Sequence, residues 1–315
     1  GIEIELFHAP GETNDQLFVW IPEKKALFPG DNFYKTFPNL YTIRGTPYRD
    51  LAGWVNSIDM MRYLEPEYLI PSHTRPLEGR ENIYNKLTTY RDGIQYVHDQ
   101  TVRLMNLGLG PDEIAEKLIL PKHLGDSPFL KEFYGSPAWS AKNVFSGYLG
   151  WFDGNPSTLK PLQKKEEAEN FIKLVGGWEN LFEIAENSYM EGGFQWALQL
   201  TDHLLRLRPN DEKAELLRQS CLVALGNQES NPNSRYYYLS SAAQLDKDYR
   251  ENDILLPNIE VIKKYPIESM MNTLKVNVIP EKSLDKNIQL LFTFTDSSKV
   301  FSIFLRKGVL EVQPF

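Results

Sequence analysis

Short apolar runs separated by turn residues fill the first 79 residues. The runs 16–21 (QLFVWI) and 25–28 (KALF) are apolar and β-prone, and they predict two strands. The segment 51–64 has apolar residues at helical spacing, and 67–73 (EYLIPSH) predicts a further strand that ends in a polar residue. The order of strand, strand, loop, helix and strand favours an α/β layer.

Both ends of the sequence lie within patterned segments. The chain opens on GIEIELFHA, in which Ile2, Ile4 and Leu6 alternate with acidic residues as in a strand, without an initiator methionine or a signal peptide. It stops directly after VFSIFLRKGVLEVQPF, which has the pattern of a hairpin. We therefore expect a fragment that is cut inside a domain at each end.

Residues 80–250 have a helical pattern. Gly108 ends one helical segment, and Pro111 with two following acidic residues begins another. Further on, a Tyr, Gly, Ala, Pro, Ala order over roughly 34 residues resembles a tetratricopeptide helix pair. Its two apolar stripes are Ala197, Leu200, Leu204 and Leu207, and Ala214, Leu217, Cys221 and Ala224. We interpret Cys221 as a core residue because it lies on such a stripe.

The pattern changes again from about residue 253. The segment 260–274 is helical with a break at Pro266, and 289–296 and 300–313 predict strands joined by polar turns. In the first of these strands Leu290, Phe292 and Phe294 alternate with Leu291, Thr293 and Thr295. This alternation favours a sheet with one apolar face. The predicted domains are thus 1–79, 80–250 and a small, incomplete α+β unit at 251–315.

Composition excludes several classes of partner. The 315 residues are 42% hydrophobic and 24% charged, as in an ordinary globular protein, and the net charge is −8. No run of Lys or Arg exceeds two residues, so neither a nucleic acid nor an anionic membrane surface is an expected partner. No apolar segment approaches the roughly 18 residues of a membrane span. The single cysteine excludes an intrachain disulfide and a cysteine-based zinc cage.

Three potential metal ligands lie at predicted strand ends or in the adjoining turns. Glu12, Asp31 and His73 each follow a proline or a Pro-Gly pair. Carboxylate and imidazole groups are ligands of divalent metals, and strand-end loops can hold them in one cleft. Taken singly, each has another interpretation: an acidic residue after glycine is commonly a turn residue, and an isolated histidine commonly lies on the surface or in the core.

The order PGE, LFPGDN, NLYTIRG, RD and PSH resembles the second half of the metallo-β-lactamase fold, and specifically the alkyl sulfatase family. The segments YVHDQTVRLMNLGLGPDEIAEKLILP and YLGWFDGNPSTLKPL resemble the dimerisation domain of that family, and the last strands resemble its sterol-carrier-like domain. The resemblance implies an α/β metallo-β-lactamase-like half domain, followed by an all-α dimerisation domain and a partial α+β sterol-carrier-like domain.

The same resemblance implies roles for individual residues. Asp31 matches a carboxylate that bridges two zinc ions and is the predicted catalytic residue, although the family more often has glutamate there. Glu12 and His73 match metal ligands, and Asn39 and Arg44 match residues that bind the sulfate of the substrate. The planar guanidinium of Arg44 suits a tetrahedral oxyanion.

The sequence departs from the family pattern in three respects. It has PGETNDQ where the family usually has Gly-Thr-Glu-Ala-Pro-Ala-Glu, and it has Arg49 where some members have histidine. The His-x-His-x-Asp-His run that supplies most zinc ligands is absent, and it would precede residue 1. Two zinc ions need about four ligands each, so the 315-residue chain by itself is expected to be inactive.

The predicted function is zinc-dependent hydrolysis of alkyl sulfate esters to alcohol and sulfate by the parent protein, with two zinc ions as cofactors. The expected partners are the alkyl sulfate and a second copy of the chain, because the family domain dimerises. Two alternatives remain open at this point. The chain could be a non-catalytic dimerisation and lipid-binding fragment, or its parent could be a metallo-hydrolase of another ester. The sequence predicts no localisation.

Overall fold

A computed structural model of the protein describes residues 1–246, 249 and 259–314, without the side chain of Val261. The chain divides into two compact units, Gly1–Tyr249 and Arg250–Phe315. The predicted boundary between residues 250 and 251 lies outside the described residues. No helix among those described is long and apolar enough to cross a membrane.

The first unit begins with a five-stranded sheet whose strands follow one another in chain order. All neighbouring pairs are antiparallel except the third and fourth strands, which are parallel because a helix, α1 (Leu51–Tyr63), connects them. The strands are β1 (Glu5–His8), β2 (Leu17–Ile21), β3 (Ala26–Phe28), β4 (Tyr68–Leu69) and β5 (Leu77–Glu78).

The strands predicted at 16–21 and 25–28 and the helix predicted at 51–64 are confirmed. Two other predictions were too long. Strand β4 has two residues rather than seven, because Pro71 has no N–H to continue the ladder. Of the predicted N-terminal alternation only Leu6 lies in a strand, and the side chains of Ile2, Ile4 and Leu6 are all exposed.

The main core of this unit lies between the sheet, α1 and the long helix α2 (Arg80–Asn106). Trp54, Ile58 and Met61 line the inner face of α1 and are fully buried. Tyr90 of α2 lies among Phe33 and Tyr34, with ring centroids 5.0 and 6.0 Å away. The loop after β3 is therefore packed onto α2 by aromatic contacts.

Helices make up the rest of this unit, as the sequence predicts. The second core cluster is formed by the last five of them and contains most of the predicted stripe residues. The helices are α3 (Pro111–Lys117), α4 (Lys122–Gly125), α5 (Pro137–Leu149), α6 (Pro156–Leu159), α7 (Lys164–Leu174), α8 (Trp178–Met190), α9 (Phe194–Leu207), α10 (Glu212–Gln228) and α11 (Pro232–Ala243).

Hydrogen bonds attach α11 to the loop that precedes α5. The Asn231 side chain accepts from Asn233 N at 2.9 Å and caps the helix, and its amide donates to the Tyr134 carbonyl at 3.2 Å. The Asn233 amide donates to the same carbonyl at 3.0 Å. In turn, Gly135 packs directly against Pro38, where a side chain would overlap the Pro38 carbonyl. The loops around residues 38 and 134 and the start of α11 thus form one packed group.

The second unit contains two short helices, α12 (Ile259–Ile262) and α13 (Ile267–Thr273), and a sheet of β6 (Asn287–Phe294), β7 (Lys299–Arg306) and β8 (Val309–Pro314). The three strands are antiparallel neighbours in chain order, joined by the predicted turns. Met271, Phe301 and Ile303 form its small core. The apolar residues of β6 that face the same side as this core remain about half exposed, namely Ile288, Leu290 and Phe292.

We predict that the thiol of Cys221 does not react in the native protein. Its side chain is fully buried in the second core cluster, and this burial raises its pKa to about 11. At about pH 8 the thiolate fraction is then about one in a thousand, and only the thiolate is nucleophilic. A disulfide reagent that releases a coloured thiol should detect no cysteine until denaturant is added, and one afterwards. Rapid labelling of the native protein would contradict this, and Cys221→Ala provides the blank.

Candidate metal centre

A cavity of about 610 Å³ lies in the first unit where the loops after β1, β3 and β4 meet. The side chains that line it include four residues singled out in the sequence, Glu12, Asp31, Arg44 and His73, together with Arg49. The fifth predicted residue, Asn39, does not line it. The structure thus brings the three predicted metal ligands and one predicted sulfate ligand to a single cavity.

Asp31 and His73 come together because β3 and β4 are parallel. Each chain segment leaves the sheet at the same edge, and Asp31 lies three residues beyond β3 and His73 four residues beyond β4. Asp31 Oδ1 lies 2.6 Å from His73 Nδ1. Both side chains are accessible, with 34% and 70% of their surface exposed, so a ligand can reach them from the cavity.

Glu12 is held by Arg49 rather than by the other predicted ligands. Arg49 Nη1 donates to Glu12 Oε1 at 3.2 Å, and both side chains are nearly buried. Burial raises the pKa of Glu12 and the charge of Asp31 adds to this, while Arg49 opposes it. Arg49 also donates to the carbonyl of Asn39. The departure at residue 49 therefore places a cation against a predicted metal ligand.

Asn32 joins the two loops that carry the carboxylates. Its side chain is fully buried; the amide donates to the Ala9 carbonyl at 2.7 Å, and its oxygen accepts from Glu12 N at 3.2 Å. The Asn32 carbonyl accepts from Trp54 Nε1 at 3.0 Å, which fixes the turn on α1. Asn32 therefore fixes the positions of Glu12 and Asp31 relative to each other.

Arg44 and Asn39 lie in different environments. Arg44 is exposed, and its guanidinium donates to the Tyr134 hydroxyl at 3.4 Å, a bond that raises the pKa of Arg44. Asn39 is fully buried, and neither polar atom of its side chain has a hydrogen-bond partner among the described residues. Its main-chain N–H donates to the Tyr34 hydroxyl at 2.8 Å. Asn39 thus lies behind the wall of the cavity, while Arg44 lies on it.

Two tyrosines of the cavity wall were not identified in the sequence. Tyr34 is buried, which raises its pKa, and Tyr134 contacts Arg44. Tyr134 is 90 residues from Arg44, and no local pattern in the sequence links them. Arg49 was identified in the sequence only as a departure from the family pattern. Its contact with Glu12 was not predicted, because the two residues are 37 positions apart and no periodic pattern links them.

The donor types suit a divalent metal, but the ligand set is incomplete. The described part of the chain contains no group of three or more His, Cys, Asp or Glu side chains that could hold a metal ion. Asp31 and His73 are at hydrogen-bond distance, whereas two ligand atoms on a tetrahedral zinc ion are about 3.4 Å apart. Carboxylate and imidazole groups in one accessible cavity fit part of a zinc site.

Comparison with known proteins gives two family matches. Residues 110–248 match the alkyl sulfatase dimerisation model, and residues 1–73 match the metallo-beta-lactamase superfamily model. A linear primary-alkylsulfatase from Pseudomonas sp. is 34% identical over 99% of this chain and 61% of its own length. Both matches and this relative confirm the resemblance of the chain to the alkyl sulfatase family of the metallo-β-lactamase superfamily.

Other relatives agree with this resemblance. The alkyl/aryl-sulfatase BDS1 of Saccharomyces cerevisiae is 29% identical over 98% of this chain and 48% of its own length. The solved structure of the stereoselective inverting sec-alkylsulfatase Pisa1 from Pseudomonas sp. superposes on all of this chain and 50% of its own, with a TM-score of 0.91 and 26% identity. The chain spans between 47% and 61% of the length of the curated relatives it matches. The match to the metallo-beta-lactamase superfamily model implies bound metal ions.

We predict that Gly11→Ala disturbs this site. A Cβ at Gly11 would overlap the side-chain oxygen of Asn32. The Asn32 side chain is buried and cannot move away without losing its hydrogen bonds to the Ala9 carbonyl and the Glu12 N–H. Overpacking of this kind lowers the free energy of unfolding by about 1 to 3 kcal/mol.

Gly125→Ala provides the control, because a Cβ there would make only an ordinary contact with Leu120 at 3.8 Å. Its effect should stay within about 0.5 kcal/mol. Urea unfolding of both variants measures the difference. Equal stability of the two would mean that the contact between Gly11 and Asn32 does not constrain the loop.

Proposed function

We propose that the complete polypeptide containing this chain hydrolyses alkyl sulfate esters to an alcohol and inorganic sulfate. The observation that carries the proposal is the shared cavity, in which Asp31, His73 and Glu12 lie beside the guanidinium of Arg44. A metal centre next to an exposed arginine suits a substrate with a tetrahedral anionic group. The curated relatives named as alkylsulfatases support the same substrate class.

The proposed cofactor is a pair of zinc ions. Asp31 would bridge them, and Glu12 and His73 would each bind to one. When bound, zinc ions act as Lewis acids and supply a nucleophilic water at neutral pH. Two zinc ions need about eight ligands, so these three side chains are one part of the set.

The remaining groups of this chain orient these ligands. Asn32 fixes the main chain next to Asp31, which contacts His73 Nδ1. Arg49 opposes the effect of burial on Glu12, since the charge and the hydrogen bond of Arg49 lower the pKa that burial raises. Because a carboxyl group binds a metal in its deprotonated form, this effect of Arg49 favours the binding-competent state of Glu12.

Arg44 is the proposed sulfate-binding residue. It lies on the cavity wall, its charge is stabilised by Tyr134, and its fork can donate two charge-assisted hydrogen bonds to one sulfate group. Asn39 is proposed to assist, but through its main chain: its carbonyl accepts from Arg49 and its N–H donates to Tyr34. Both of these partners line the cavity.

Two broader features of the complete protein belong to the same proposal. The second unit is proposed to be part of a sterol-carrier-like domain, and the half-exposed apolar residues of β6 support a role in binding lipid-like chains. The dimerisation domain is proposed to form a homodimer. Tyr148, Leu149 and Trp151 support this, because more than half of each apolar side chain is exposed at the end of α5.

We predict that Arg44→Ala lowers kcat/KM for an alkyl sulfate by about 30- to 1000-fold, which is about 2 to 4 kcal/mol of transition-state stabilisation. Arg44→Lys should be partly active, because lysine provides a charge without the planar fork. Bound zinc should not change, since among the described residues the Arg44 side chain donates to Tyr134 and to none of the proposed metal ligands.

Sulfate release and zinc content of the complete polypeptide are the measurements. Arg103→Ala, at an exposed arginine of α2 outside the cavity, is the control and should leave both unaltered. Unchanged kinetics for Arg44→Ala would remove Arg44 from the sulfate site.

We predict that the complete polypeptide is a homodimer at micromolar concentration and that Tyr148→Ser/Trp151→Ser weakens it. Tyrosine and tryptophan are enriched among the few residues that provide most of the binding energy at protein interfaces. Static light scattering should give twice the mass of one chain for the native protein and a lower mass for the double variant. Trp196→Ser, an exposed tryptophan of α9, is the control. A monomeric native protein would contradict the prediction.

A further inference from the structure

A second cavity, of about 420 Å³, adjoins the candidate metal centre in the same unit. Its walls are one face of α11 and the segment Ile43–Arg44, and we call it the α11 groove. Arg44 lines both the groove and the metal cavity. At the start of α11, Pro232 lines the metal cavity and the next residue, Asn233, lines the groove. The two cavities therefore meet at Arg44 and the first turn of α11.

The hydrogen bonds at this junction fix the groove relative to the metal cavity. Tyr134 accepts from Arg44 at its hydroxyl and from Asn233 and Asn231 at its carbonyl. Arg44 and the start of α11 thus share one partner, although they are separated by almost 190 positions along the sequence. The wall of the groove is part of the packed fold rather than an independent surface.

The lining of the groove is amphipathic. Tyr236 and Tyr237 are exposed by 67% and 57%, and with Ile43 they present apolar and aromatic surface. The hydroxyl and amide groups of Ser240 and Gln244 lie further along α11. Aromatic surface of this extent is costly to leave in water and binds hydrocarbon chains with little specificity for their conformation. The cation at one end selects ligands with an anionic head.

We propose that the α11 groove binds the hydrocarbon chain of the sulfate ester, with the sulfate group held at Arg44 and the chain lying against Tyr236 and Tyr237. This inference rests on the proposed function. A chain that leaves the sulfate at Arg44 enters the groove directly, because Arg44 is common to both cavities. Selection for chain length would then reside in the helical part of the first unit and not in the metal centre.

The test uses alkyl sulfonates, which share the anionic head and the chain but have no ester bond to hydrolyse. Calorimetric titration of the complete polypeptide with ethyl, hexyl and decyl sulfonate measures the gain in affinity with chain length. Burial of a methylene group is worth about 0.8 kcal/mol, so each one held in the groove should tighten binding by up to about fourfold.

In the variant Tyr236→Ser/Tyr237→Ser we expect decyl sulfonate to bind about tenfold more weakly, while ethyl sulfonate stays within about twofold of the native value. Both tyrosines are exposed, so the variant should fold normally. Tyr63→Ser is the matched control, since Tyr63 is an exposed tyrosine, at the end of α1, that does not line the groove. Its sulfonate affinities should equal those of the native protein.

The outcomes separate this inference from the proposed function. If the double variant keeps the native dependence on chain length while the native protein hydrolyses alkyl sulfates, the inference is wrong and the function stands. If the double variant changes the oligomeric mass and keeps that dependence, the groove is a subunit interface and the inference is again wrong. If the native protein binds no sulfonate and releases no sulfate from any alkyl sulfate, the proposed function fails and the inference with it.

Discussion

The buried side-chain amide of Asn32 is the interaction on which the candidate metal centre depends. One short side chain satisfies the carbonyl of Ala9 and the N–H of Glu12, while the main-chain carbonyl of Asn32 accepts from Trp54 Nε1. A buried amide whose polar atoms are all hydrogen-bonded is stable. If the Asn32 side chain were removed, the Ala9 carbonyl and the Glu12 N–H would each lack a hydrogen bond. The position of Glu12 relative to Asp31 is thereby set by hydrogen bonds that connect both loops to the core.

The other constraints act around this bond. The parallel pairing of β3 and β4 brings Asp31 and His73 to the same edge of the sheet, and Arg49 holds Glu12 close to them. The bonds between Tyr134 and the start of α11 then attach the helical part to the loop that carries Arg44. The candidate metal ligands at the edge of the sheet, the loops around residues 34 and 134 and the start of α11 thus form one cavity from segments far apart in the sequence.

Local patterns predicted the local elements well. The helix 51–64 was recognisable because its apolar residues have helical spacing, and in the structure Asp50 caps it by accepting from Ala52 N at 3.1 Å. The family resemblance supplied the residues that meet at the cavity, except that Asn39 is buried behind it. The pair of Glu12 and Arg49 could not be predicted, because contacts between distant loops depend on how the elements pack and leave no periodic signal.

The most direct test of this account is the metal affinity of the complete polypeptide with Asn32→Ala. Ile58→Ala, in the same core, is the control for a general loss of stability, which for such a substitution is about 2 to 5 kcal/mol. Competition with a zinc chelator should show that Asn32→Ala weakens zinc binding by about 10- to 100-fold, because a residue that orients metal ligands has been removed. Ile58→Ala should bind zinc as the native protein does. Equal zinc affinity of the two variants would contradict the central role of Asn32.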